Sequence, residues 1–206
     1  MTINHTTLTA AKTTTGSIAN WVSRSDLPTA DILTEAEAMI YQDLRVEDML
    51  TRTTLTLALA ATSAALPSDY LGLRSFTPYG WEAPMLYVPP EKMVEQVDDE
   101  GTFASGTPTM FMVMGGTAYF DIATDEAITG RLLYYARPAA LSGSNETNFL
   151  TTKYPSLLRY AILHLAYEHM KDQAQGQEYL AKFMAQLAKV KAADDLNKMG
   201  QWVPAG

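Results

Sequence analysis

Apolar positions repeat with helical spacing in residues 29–45, the stretch around which the rest of the chain is organised. The apolar side chains of this stretch are Ile32, Leu33, Ala36, Ile40 and Leu44. Their separations of three and four residues predict an amphipathic helix. Pro28 suits the start of this helix, because an amide in the first turn needs no partner within the helix and proline lacks that N–H. Such a helix must bury its apolar stripe. The best partners are helical stripes more than a hundred residues later.

The hydrophobic period changes to two after residue 50. Leucines alternate with threonines in residues 51–59, which predicts a half-buried strand. Gly115-Gly116 between two apolar runs predicts a hairpin, whereas Thr129-Gly130 is interpreted as a turn and residues 90–97 as a short helix. The other predicted strands cover residues 70–77, 86–88, 109–114, 117–122 and 132–136.

Helical spacing returns near the C-terminus of the chain. It predicts a helix that starts at Pro155, a break at residues 173–176 and a last helix over residues 177–199. Near the N-terminus, residues 15–24 predict a short helix, and the threonine-rich residues 1–15 are interpreted as a mobile arm.

The order of these blocks is helices, strands and helices, without the alternation of strand and helix that doubly wound folds require. This order predicts an α+β protein. Helices from residues 1–47 and 150–199 would form a bundle, residues 48–149 an inserted antiparallel β-domain, and residues 200–206 a C-terminal tail.

The composition restricts the partners of the protein. Its 15 basic and 23 acidic residues give a formal charge of −8, which disfavours a tight grip on nucleic-acid phosphates. There are no cysteines, so disulfides and thiolate metal sites are excluded. The N-terminus does not resemble a secretory signal, and residues 55–66, an apolar-leaning run, are too few for the roughly 20 that span a bilayer. We therefore predict a soluble, non-secreted protein without a membrane partner.

No group of residues has the spacing of a catalytic or metal-binding motif. His164 and His169 are five residues apart, about 140° around a helix, and cannot share a face as zinc-binding histidines do. Residues 98–100 are interpreted as a solvated acidic loop, and Asp194 with Asp195 as ordinary helix-surface charge. We predict no enzyme activity, no cofactor and no bound metal.

Residues 109–114 form a strand that is apolar on both faces, so one face can meet a core while the other meets a neighbouring subunit. This pattern nominates Met110, Met112 and Met114 as a subunit interface; a fully buried strand is the alternative.

The C-terminal tail contains a second candidate interface, namely Gln201, Trp202, Val203 and Pro204. Its tryptophan could anchor the tail on a partner, whereas the alternative is a frayed end.

Short packing and turn motifs occur along the chain in a recognisable order. They are Ile18-Ala-Asn-Trp21, Ala36-Glu37-Ala38, Leu66-Pro67-Ser68-Asp69-Tyr70, Gly115-Gly116, Leu133-x-Tyr135-Ala136-Arg137 and Asn145-x-Thr147-Asn148. With these motifs, residues 15–200 resemble the head-to-tail adaptor proteins of short-tailed bacteriophages.

The resemblance implies a dodecameric ring beneath the portal protein, which continues the DNA channel and presents a platform to a tail nozzle or tail protein. It also implies a place in the virion after synthesis in the host cytoplasm, and contact of the C-terminal segment with the portal. An acidic channel wall would let DNA slide past without sequence-specific binding. The alternatives are another virion joint, such as a tail-tube or head-completion protein, and a cell-wall hydrolase, which would need paired carboxylates at a cleft.

Overall fold

The computed structural model describes residues 3–93 and 103–200, and it confirms an α+β protein. The chain forms two compact units. Met1–Asp48 and Pro138–Gly206 make the helical unit, and Met49–Arg137 make the β unit. Residues 138–149, which the sequence assigned to the β-domain, thus group with the helices.

The helical unit contains six α-helices in the described residues. They are α1 (His5–Thr9), α2 (Ile18–Trp21), α3 (Thr29–Asp43), α4 (Phe149–Thr152), α5 (Pro155–His169) and α6 (Gln173–Gly200). Helix α3 packs on α5, and α5 packs on α6. The predicted apolar stripe of α3 is buried, and Ile40 is completely inaccessible to solvent. Of the described helices, none is long and apolar enough to cross a membrane.

The interpretation of residues 1–15 as a mobile arm is wrong for the part that the structure describes. The Asn4 side chain caps α1, and Leu8 is fully buried. The His5 N–H donates to the Glu146 carbonyl at 2.9 Å, and the Thr6 N–H donates to the Glu146 carboxylate at 3.0 Å. Long-range hydrogen bonds therefore hold a segment whose composition alone suggested disorder.

The predicted break at residues 173–176 is also wrong, because α6 already begins at Gln173. The chain turns instead at Lys171, whose φ is 60°. The Lys171 N–H donates to the Glu168 carbonyl at 2.9 Å, and the Asp172 N–H donates to the Tyr167 carbonyl at 3.0 Å. This pair of bonds is the Schellman ending of a helix, with lysine in the left-handed position that glycine usually occupies.

The β unit contains nine short strands in the described residues. They are β1 (Leu50–Leu57), β2 (Ser63–Ala65), β3 (Tyr70–Pro78), β4 (Leu86–Tyr87), β5 (Ser105–Gly106), β6 (Met110–Met114), β7 (Thr117–Phe120), β8 (Ala123–Thr124) and β9 (Ile128–Ala136). An antiparallel sheet has the order β1-β9-β3. A second sheet has the order β2-β7-β6-β4, in which β4 runs parallel to β6, and β5 pairs with β8 in parallel.

The two larger sheets share one hydrophobic core. Phe76 of the three-stranded sheet meets Phe111 and Phe120 of the four-stranded sheet, with ring centroids 5.9 and 6.3 Å apart. Since side chains alternate along a strand, each sheet directs every second residue into this core and the others away from it. The outer faces of the two sheets therefore point away from each other.

The turn predictions had mixed outcomes. Gly115 and Gly116 connect β6 to β7 with φ of 58° and 79°, so the predicted hairpin is confirmed. Thr129-Gly130 is not a turn, because both residues lie within β9. In the predicted helix at residues 90–97, the described part contains one 3-10 turn at Pro90–Lys92. Residues 94–97, like the acidic residues 98–100, lie outside the described residues.

Candidate functional site

The outer face of the four-stranded sheet carries the methionines that the sequence nominated. Phe111 points into the core, so the alternation along β6 places Met110, Met112 and Met114 on the other side. Residues paired across a ladder share a face. In the ladders of this sheet, Leu86 is opposite Met110 and Met112 is opposite Tyr119. We call the set of these four residues and Met114 the methionine face.

The methionine face is only partly covered within the chain. Leu86 is 59% exposed and Met114 is 51% exposed, whereas Met112 is buried and Met110 is half-buried. The 3-10 turn Pro90–Lys92 contacts β6. Large exposed apolar side chains on an edge strand and its neighbour are typical of a protein-binding surface, and flexible methionines adapt to the shape of a partner.

The histidines on α5 have separate environments. His164 is buried, and its Nδ1 lies 3.0 Å from the Gly176 carbonyl oxygen of α6. His169 is exposed at the end of the helix. Within residues 3–93 and 103–200, no three or more His, Cys, Asp or Glu side chains are grouped to hold a metal ion.

Asp194 is not the ordinary surface charge that the sequence suggested. Its side chain is buried, one carboxylate oxygen accepts from the Glu47 N–H at 2.8 Å, and the other meets the Lys198 ammonium group. The neighbouring Asp195 carboxylate is 72% exposed. A sequence signal existed, since position 194 continues the apolar stripe of Leu187 and Val190. Asp194 therefore attaches α6 to the segment that follows α3.

A second buried carboxylate, which sequence reasoning missed, belongs to Glu37 of α3. It accepts from the Leu141 N–H at 3.0 Å and from the Asn148 side-chain amide at 2.8 Å. Asn148 also caps α4, accepting from the Leu150 N–H at 3.0 Å. Burial raises the pKa of Glu37, although its hydrogen bonds to Leu141 and Asn148 act in the opposite direction. Glu37 and Asn148 thus connect α3 to the start of α4.

The tail interface nominated from the sequence, Gln201, Trp202, Val203 and Pro204, lies outside the described residues. Its role, like that of Met110, Met112 and Met114 between subunits, stays a prediction.

The fold and its surfaces define an α+β protein with features suited to binding other macromolecules. The chain belongs to the family described as SU10 adaptor protein, whose sequence model matches residues 8–204. This match confirms the resemblance to phage head-to-tail adaptors, and the protein is a structural adaptor of a bacteriophage. No curated protein is similar enough to be matched with the chain.

Proposed function

We propose that the protein joins the portal to a tail nozzle or tail protein as a ring, with twelve copies lining the channel through which DNA leaves the capsid. The observation that carries the proposal is the family match over residues 8–204. In the proposed architecture, helices from both ends of the chain form a bundle and the β unit is inserted between them. The packing of α3 on α5 and the division of the chain at Met49–Arg137 support this architecture.

The methionine face is the proposed contact between copies. A ring of identical subunits needs a heterologous interface, in which one surface of each copy meets a different surface of the next. The exposure of Leu86 and Met114 beside the buried Met112 supports such a role, because an interface of this kind has an apolar centre.

The tail residues Gln201, Trp202, Val203 and Pro204 are the proposed portal dock. The support is chemical: Trp202 is an aromatic anchor, and Pro204 favours an extended backbone. Binding through a few such anchors is common at protein interfaces.

The first test is assembly on portal rings. Light scattering should show a mass increase when purified protein meets purified portal rings, and deletion of residues 201–206 should abolish retention on the rings without changing the melting temperature. The matched control is deletion of residues 205–206 alone, which shortens the same tail but keeps all four proposed dock residues. A protein that stays monomeric beside assembled portal contradicts the proposed function, and unchanged retention after the deletion contradicts the tail dock alone.

The second test concerns the methionine face. The double variant Leu86→Asp/Met114→Asp should fold normally, since both side chains are exposed, but it should lose ring formation because buried unpaired charges are costly. Leu59→Asp is the control, as Leu59 is 64% exposed in the same unit but lies outside the methionine face. Mass photometry on portal rings measures the copies bound. Normal stoichiometry in the double variant would place the subunit contact elsewhere.

A further inference from the structure

The outer face of the three-stranded sheet carries positive charge without an acidic counterpart on its strands. Strands β1, β3 and β9 contain Arg52, Arg74 and Arg131 and no aspartate or glutamate, although Met49–Arg137 holds ten acidic and five basic residues. The ion pairs within the described residues all belong to the helical unit. The strands of this sheet therefore contain no acidic residue, although Glu126 lines a neighbouring depression together with Tyr79 and Thr129.

Two of these arginines lie together on the outer face. Thr54 is opposite Arg131 in the ladder between β1 and β9, and Arg52 precedes Thr54 by two residues on the same side. Arg52 and Arg131 are therefore diagonal neighbours, a relation that brings two residues within about 7–8 Å of each other. Both are exposed, and with Tyr79 and residues 53–54 they line a shallow depression.

Hydroxyl groups surround this pair of arginines. The Thr54 hydroxyl lies 3.5 Å from the Tyr79 hydroxyl, and the Thr56 and Thr129 hydroxyls are 3.2 Å apart. Thr77 is opposite Arg131 on the other neighbouring strand. We call this set the arginine–threonine face: Arg52, Thr54, Thr56, Thr77, Tyr79, Thr129 and Arg131.

We infer that the arginine–threonine face binds the phosphate backbone of DNA without reading its sequence. Arginine and hydroxyl side chains are the groups that proteins use to contact phosphates, and guanidinium groups bind phosphate oxygens through paired hydrogen bonds. An acidic protein partner fits less well, because six of the seven side chains of the face are threonines or arginines, and Tyr79 is its one aromatic residue, whereas protein interfaces are rich in aromatic and aliphatic anchors.

The inference rests on the proposed function for its biological setting. It changes one expectation about the adaptor ring, namely how the channel wall interacts with DNA. From the sequence we expected an acidic channel wall that lets DNA slide past, whereas this face would attract the DNA backbone weakly. Two arginines per copy give little affinity alone, but a ring repeats them around one DNA molecule, and repeated weak contacts add through avidity.

The test is fluorescence anisotropy of labelled random-sequence duplex DNA against the purified protein at increasing salt. The variant Arg52→Ala/Arg131→Ala should bind at least tenfold more weakly at low salt, and its log–log salt slope should be smaller by about 1.8, because roughly 0.9 counterions are released per phosphate contact. The control is Lys92→Ala/Arg137→Ala, which removes two exposed charges from the same unit but outside the face. Circular dichroism checks that both variants fold.

Equal DNA affinity in the two double variants would overturn the inference. The inference would also be overturned if Arg52→Ala/Arg131→Ala lost portal or tail-protein binding while its DNA affinity stayed unchanged. That result would identify the arginine–threonine face as a protein contact. Assembly on portal rings is measured on the same samples, which separates the two proposals. If the wild-type protein fails to assemble on portal rings but binds DNA through Arg52 and Arg131, the proposed adaptor ring is contradicted and the inference about DNA binding is not.

Discussion

Substitution of Gly130 by alanine is expected to destabilise the β unit by about 3 kcal/mol, the upper end of the usual cost of overpacking. Gly130 lies within β9, between β1 and β3. An added Cβ would lie 2.7 Å from the Phe76 ring, 2.7 Å from the Thr77 carbonyl oxygen and 2.8 Å from the Pro78 Cα. Two of these three atoms belong to the backbone, so β3 would have to move away from β9.

Hydrogen exchange is the suitable measurement, because it follows the amides of β3 and β9 separately from those of the helices. A single unfolding curve would average the two units. Faster exchange at those strands, with unchanged protection in α5 and α6, is the expected result. Gly143→Ala is the control, since nothing lies within 4 Å of its added Cβ. Equal effects of the two substitutions would mean that β3 and β9 approach each other less closely than the structure shows.

Gly130 illustrates what local sequence patterns reveal about the β unit. Alternating leucines and threonines predicted β1 because burial on one face leaves a period of two. The order β1-β9-β3 was not predictable, since it depends on contacts between strands far apart in the chain. Glycine next to threonine was interpreted as a turn, whereas here glycine is required by the close approach of a neighbouring backbone.

The helices show the same division between local and long-range information. The apolar stripe of α3 identified both the helix and its buried face. The break between α5 and α6 was predicted at residues 173–176, a stretch that ends in Gly176, whereas the chain turns at Lys171. Gly176 stays helical where an added Cβ would lie 3.5 Å from the Glu168 side chain, an ordinary contact.

The family resemblance was predictable because turn and packing motifs are local, but the partners of the buried charges were not. Glu37 lies four residues after Leu33 and three before Ile40, in register with the apolar stripe. From the sequence, Glu37 was identified only as part of a packing motif and Asp194 was interpreted as helix-surface charge, so neither was recognised as buried. A charge in register with an apolar stripe indicates a buried polar contact, but its partners, here Leu141 and Asn148, come from distant sequence.

Removal of the Glu37 carboxylate is expected to destabilise the helical unit by about 2–4 kcal/mol. In Glu37→Ala, the Leu141 N–H and the Asn148 amide lose their acceptor inside the protein, and each unsatisfied buried donor costs about 1–3 kcal/mol. Glu35→Ala is a matched control, since Glu35 is an exposed glutamate on the same helix and should change stability by less than about 0.5 kcal/mol. Urea unfolding followed by circular dichroism measures both. Similar losses would show that the Glu37 contacts contribute nothing specific.

The pH dependence of the same site has a definite sign. Burial raises the pKa of Glu37 above its ordinary value of about 4.3, so the folded chain holds this proton more tightly than the unfolded chain. The resulting stabilisation is fully present below the unfolded pKa and is lost as the pH rises through the folded pKa. Glu37→Gln cannot titrate, so the pH dependence of the difference in unfolding free energy between wild type and Glu37→Gln isolates the contribution of the carboxyl group. We expect the advantage of the wild type to be largest at low pH and to decrease as the pH rises; an advantage that grows with pH would mean that the ionised carboxylate is the form the fold prefers.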